Sequence, residues 1–231
     1  MEMRIWLGES LLEQHLNQNP SDKTIRRQLI DSYTRLGPPE KAIEHLKVLA
    51  VEPEFEEDSL RLLAALAIKS SNIALAEESL MQLRKLQPGD FAANLALAEL
   101  YFNSGRPVDA IPLIEASIKT DPKRSASYLL LADALGEAGR NQEMITPLEA
   151  CLELTPDEFA AHANLAFAYY TAGRSDEAIF QAQWCLARSP NFNKVRLILA
   201  HAQRDKGEHA ASLATVVRAE PENLDTILLQ A

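Results

Sequence analysis

Two cysteines in 231 residues exclude the disulfide framework on which small secreted domains depend. Aromatic residues make up 6% of the chain and there are eight glycines, while hydrophobic residues, mostly alanine and leucine, reach 47%. That balance suits closely packed helices and argues against a strand-rich fold, where β-branched and aromatic residues would be enriched. No run of apolar residues is long enough to span a bilayer. Glu2, Arg4, Glu9 and Glu13 interrupt the apolar core that a signal peptide would need, so the cytoplasm is the expected compartment. The formal net charge is −10 and no basic run offsets it, which excludes nucleic acid as an expected partner.

What is present is a period. Gly37, Ser71, Gly105, Gly139, Gly173 and Gly207 follow one another at intervals of 34 residues. A second series runs Pro20, Pro53, Pro88, Pro122, Pro156, Pro190 and Pro221. Glycine closes the first helix of a hairpin in a left-handed conformation, and proline stops the second helix and sets up the next. Each period is thus cut into two helices of about 13 to 15 residues.

The residues between the breakers keep the same register. Eight before the glycine stands leucine without exception: Leu29, Leu63, Leu97, Leu131, Leu165 and Leu199. Seven before it come Ile30, Ala64, Ala98, Ala132, Ala166 and Ala200, small enough in five of six cases for close helix approach. Four before it stand Tyr33, Ala67, Tyr101, Leu135, Tyr169 and Gln203. Five after it come Ala42, Ala76, Ala110, Met144, Ala178 and Ser212, with Met144 the exception in size. Cys151 and Cys185 occupy one equivalent place in successive repeats, as small buried thiols would.

These positions resemble the tetratricopeptide repeat family, the segment from His162 through Leu165, Ala166, Tyr169, Gly173 and Ala178 to Pro190 being the cleanest copy. The resemblance covers roughly residues 21–221. It implies an all-α fold, a right-handed superhelix or solenoid of about six helical hairpins with extra terminal helices. Residues 1–20 then form a capping helix or half repeat, 21–221 the repeat domain and 222–231 a capping segment. Gly8, Leu12 and Pro20 fall where Ala42, Leu46 and Pro53 fall one unit later, and Ile5, Leu11 and Leu16 complete an apolar stripe. The ends are expected to be either caps over the terminal hairpins or places where the stack continues in a longer parent protein or in a neighbouring copy.

No catalytic chemistry is legible. The five histidines, His15, His45, His162, His201 and His209, form no zinc-type spacing, and His162 stands at a packing position. There is no Gly-rich phosphate loop and no Gly-x-Ser-x-Gly elbow. No enzyme, no cofactor and no metal is expected.

In the family resembled, first helices line the inner face, and the register names the residues that point into it. An apolar strip of Leu95, Phe102, Leu129, Phe167, Tyr170 and Leu197 is not required by core packing and suits a ligand with apolar anchors. Arg27, Arg35, Arg61 and Lys69 make the first third basic against Asp31 and Asp58. Glu99, Asp133 and Glu137 turn the middle acidic, and the sixth unit adds His201 and Arg204. Members that grip acidic chaperone tails need asparagine where Asp31 stands, and Asn164 alone matches their pattern. The expectation is a scaffold or adaptor that takes a peptide or amphipathic helix in the groove, its acidic end near Arg27 and Arg61. Alternatives are a regulatory or targeting portion of a larger enzyme, or a self-assembling structural protein built through its terminal helices.

Overall fold

The structure is a computed structural model in which the backbone of residues 2–217 and the side chains from Gly8 onward are described. The Ile5 side chain, Pro221 and the 222–231 segment lie outside the described residues. Within them every regular element is helical. The α-helices are α1 Glu2–Gln18, α2 Lys23–Arg35, α3 Pro39–Leu49, α4 Glu56–Lys69, α5 Ile73–Leu86, α6 Phe91–Asn103 and α7 Pro107–Thr120. They continue with α8 Ser125–Glu137, α9 Ile145–Leu154, α10 Phe159–Thr171, α11 Ser175–Arg188, α12 Asn193–Asp205 and α13 His209–Val217. None is long and apolar enough to cross a membrane. Two compact units are distinguished, Met1–Leu100 and Tyr101–Ala231. In the first, α1 packs on α2, α2 on α3, α3 on α4 and α4 on α5. In the second, each helix from α7 to α13 packs on the next, and the first helices α8, α10 and α12 also touch in sequence.

The first helices α2, α4, α6, α8, α10 and α12 end 34 residues apart without drift. Five of them stop in a left-handed residue: Ser71 (φ 56°), Gly105 (71°), Gly139 (74°), Gly173 (73°) and Gly207 (80°). At each, the next amide reaches back to the carbonyl five residues earlier, as Arg106 does to Tyr101 (2.9 Å) and Arg174 to Tyr169 (2.9 Å). The left-handed residue itself donates to the carbonyl three before it, as Gly173 does to Tyr170 (3.0 Å). This paired closure satisfies carbonyls that a bare helix end would leave open.

Gly37 departs from the expectation, since its φ is not positive. The following residue is Pro38, which has no amide hydrogen to make the long reach back. Glycine is needed there because a Cβ would lie 2.6 Å from the Tyr33 ring.

Every described proline of the series except Pro53 is also tied down. Its carbonyl accepts a hydrogen bond from the side chain six residues on: Arg26 to Pro20 (2.6 Å), Asn94 to Pro88 (3.0 Å), Tyr128 to Pro122 (3.1 Å) and His162 Nε2 to Pro156 (2.9 Å). Arg196 does the same to Pro190. Arg26, Asn94, His162 and Arg196 are buried, so a polar side chain in the interior finds an acceptor in the carbonyl of an exposed proline. Leu60 holds the equivalent place in the second hairpin and cannot donate, and there Pro53 stands seven residues ahead rather than six.

The core follows the leucine and alanine ladder. Leu29, Leu63, Leu97, Leu165 and Leu199 are buried with Ala64, Ala98, Ala132, Ala166 and Ala200, while Leu131 is half-buried. Each fully buried leucine is worth about 1.5–3 kcal/mol. His162 lies in this interior, stacked on Trp184 with ring centres 3.6 Å apart. Cys151 and Cys185 are free and buried, and burial pushes the Cys185 thiol up to about 11. Met144, too large for its small-residue position, ends a short 3-10 turn (Asn141–Met144) and lays its sulfur 3.2 Å from where Gly136 would carry a Cβ. The helix α1 meets α2 as a second helix would: Tyr33 donates to Glu13 (2.8 Å), matching Tyr169 on α10 and Glu149 on α9 (2.6 Å).

Two expectations follow. Ser71→Gly raises stability by roughly 0.5–1 kcal/mol and Gly173→Ala lowers it by about 1 kcal/mol, read as opposite shifts of the urea midpoint. Gly136→Ala gains the helix propensity of alanine, about 1 kcal/mol, only in a Met144→Ala background. A double-mutant cycle with zero coupling would show that the two side chains do not share that space.

Candidate binding surfaces

In the first unit, the faces of α4 and α6 form a shallow cavity of about 230 Å³, with Ala65, Ile68, Ala92 and Ala96 among its walls. Arg61 stands at its edge with its charge already met. It donates to Glu57 (2.9 and 3.2 Å) and to Asp90. Asp90 in turn caps α6 by accepting from the Ala93 amide (2.6 Å), and the Arg61 guanidinium holds its carboxyl below the usual range. A ligand carboxylate at Arg61 would have to displace this pair. Arg27 lies over the Phe55 ring (5.4 Å), and Lys69 and Arg35 are exposed. Leu95 on α6 is half-buried.

In the second unit, α10 and α12 enclose a larger and mostly apolar cavity of about 360 Å³. Phe167 and Leu197 face it while remaining 38% and 44% exposed, and Ala163, Asn164, Phe192, Lys194, Val195 and Ile198 complete its walls. Asn164 joins α10 to α8, its amide donating to Asp133 Oδ1 at 2.8 Å. Burial pushes the Asp133 carboxyl up, more than this hydrogen bond pulls it down, and Glu137 adds like charge. Tyr170 is half-buried and stacks on His201 with ring centres 6.0 Å apart. Arg204 approaches Asp205 at 3.4 Å, and Phe102 and Leu129 are half-buried.

Phe192 was invisible to the sequence register, yet a signal exists. It holds the position before a first helix where Asp22, Asp90 and Glu158 accept a backbone amide. An aromatic there forgoes a helix cap worth about 1 kcal/mol. It packs instead on Phe159 with ring centres 5.5 Å apart, and it walls the cavity. Phe55 makes the same exchange in the first unit, lying under Arg27 and Lys23.

Models of the tetratricopeptide repeat match residues 67–134 and 129–183. This chain belongs to the tetratricopeptide repeat family. Repeats of this kind are protein-interaction scaffolds in general, and the helical hairpins described above are of that kind. Among solved structures, one of MamA superposes with a TM-score of 0.67 at 19% identity, covering 74% of this chain and 93% of that one. MamA from Desulfovibrio magneticus RS-1 gives 0.58 at 22% identity, covering 69% of this chain and 89% of that one. At such identity the likeness is one of fold. No curated protein matches the sequence.

The raised Asp133 sets a pH dependence of stability. The native state holds the proton more tightly than the unfolded chain, so this contribution is present at acidic pH and lost as pH rises through the native value. Ionised Asp133 therefore costs stability at neutral pH. Asp133→Asn keeps an oxygen for Asn164 and removes that cost. Its urea midpoint should exceed that of the unmodified chain at pH 7, and the gap should close toward pH 3.

Proposed function

We propose that this tetratricopeptide repeat chain is a non-catalytic scaffold that holds a peptide or helical segment of another protein against its first helices. The observation that carries the reading is the α10–α12 cavity, where two large apolar side chains stay more than a third exposed around about 360 Å³ of space. An apolar concavity of this kind favours a partner that can dehydrate it, and large apolar side chains near the centre of an interface carry most of the affinity. The smaller α4–α6 cavity offers a second place for a modest aliphatic side chain. Among the described residues, Arg27, Arg35 and Lys69 are first-helix cations with no carboxylate at ion-pair distance, whereas Arg61 is paired, so any acidic end of the ligand depends on them rather than on Arg61.

The test is affinity capture with the unmodified chain, Phe167→Ala and Phe180→Ala. Phe180 is 64% exposed on the second helix α11 and serves as a surface aromatic outside the proposed site. Truncating a buried anchor costs about 1.5–3 kcal/mol, so a bound polypeptide should weaken about tenfold or more with Phe167→Ala. It should persist with Phe180→Ala. Capture that ignores Phe167, or that depends on Phe180 instead, would sink the proposal.

A further inference from the structure

Among the acidic side chains of the first helices and the turns before them, Asp133 is set apart by what surrounds it. Asp90 faces Arg61, and Asp22 faces His15 at 3.0 Å. Asp133 is half-buried on α8 and accepts one hydrogen bond, from the neutral amide of Asn164. Among the described residues, its charged and titratable neighbours are Glu137 on its own helix and the Cys151 thiol on α9. None is a cation. A carboxylate takes several hydrogen bonds, and one that has lost part of its water gains most from a positive partner.

The amide that holds this carboxylate also walls the apolar cavity of α10 and α12. One side chain, Asn164, therefore joins an acidic point to an apolar hole. Lys194 lies on the α12 side of that hole. It opposes a ligand cation there, which leaves the α8 side as the favourable one. The net charge of −10 draws cationic ligands in from a distance.

We infer that Asp133, held by Asn164, is a subsite for a lysine or arginine side chain of the bound segment, whose neighbouring apolar residue enters the cavity against Phe167 and Leu197. The inference rests on the reading of the first helices as a binding face and adds the charge and order of the ligand. The ligand ammonium or guanidinium supplies donors to the carboxylate oxygens, and no bond is made or broken. Protonation of Asp133 removes the attraction, so affinity for a basic peptide falls as the solution is acidified from pH 7 to pH 4.

The experiment is selection of a random dodecapeptide library on the full chain, with binders to Phe167→Ala removed. Peptides recovered should carry lysine or arginine within a few residues of a large apolar side chain. A synthetic copy should bind Asp133→Asn about tenfold more weakly, and its Lys→Met analogue should bind both chains alike and lose the pH dependence. Because Asp133→Asn is expected to be at least as stable at pH 7, weaker binding cannot come from unfolding. Peptides that need Phe167 yet show no basic bias, or bind Asp133→Asn unchanged, overturn the subsite and leave the binding face standing. If no peptide depends on Phe167, the binding face fails and the subsite with it.

Discussion

Every hairpin depends on how its first helix stops. A left-handed residue followed by a free amide folds the chain back through two hydrogen bonds, and the second helix, or in the fourth hairpin the 3-10 turn that leads into it, begins two residues on. Ser71 accepts a backbone strain that glycine would avoid, yet it keeps both bonds, to Ile68 (3.1 Å) and through Asn72 to Ala67 (2.8 Å). At Gly37 the neighbouring proline removes the donor, and the chain turns by another route in which contact with Tyr33 sets the requirement for glycine. The closure fixes direction, and the buried leucines and alanines then supply the energy.

The complementary constraint acts between hairpins. Arg26, Asn94, Tyr128, His162 and Arg196 differ in charge, size and shape, but each places a donor against a proline carbonyl. The shared requirement is for a hydrogen at that carbonyl, whatever side chain brings it, and the buried donors Arg26, Asn94, His162 and Arg196 would cost on the order of 1–3 kcal/mol each if left without a partner. The second hairpin lacks the donor, and there the proline has slipped by one residue. The loop and the side chain change together because neither is useful alone.

On the faces of the first helices, helix caps and pockets compete for the same positions. Where Asp22, Asp90 and Glu158 cap a helix, the turn is polar and closed. Where Phe55 and Phe192 stand instead, a ring becomes available to cover or wall a surface. Likewise Arg61 is tied to Asp90, whereas Asp133 meets only an amide. The scaffold is regular, and its capacity for recognition arises where the regular use of a position is given up.

The sequence by itself determined the period, the ends of the first helices and most of the leucine and alanine core, because these follow from local rules, but not that α3 and α9 run only 11 and 10 residues. Glycine or its substitute takes a positive φ wherever a free amide follows it, as at five of the six turns, proline ends a helix, and apolar residues recur on one side. Read through its resemblance to the repeat family, the same register also marked Phe167, Leu197 and Asp133 as positions facing away from the core. Only the tertiary structure decided which of those side chains meet. Asp90 reaches Arg61 from a turn 29 residues away, Asn164 reaches Asp133 across 31, and Phe192 enters a cavity from a capping position. Such pairings depend on distances between different hairpins, and chemically unlike residues can satisfy them equally well, so no single-chain pattern of residue types records them.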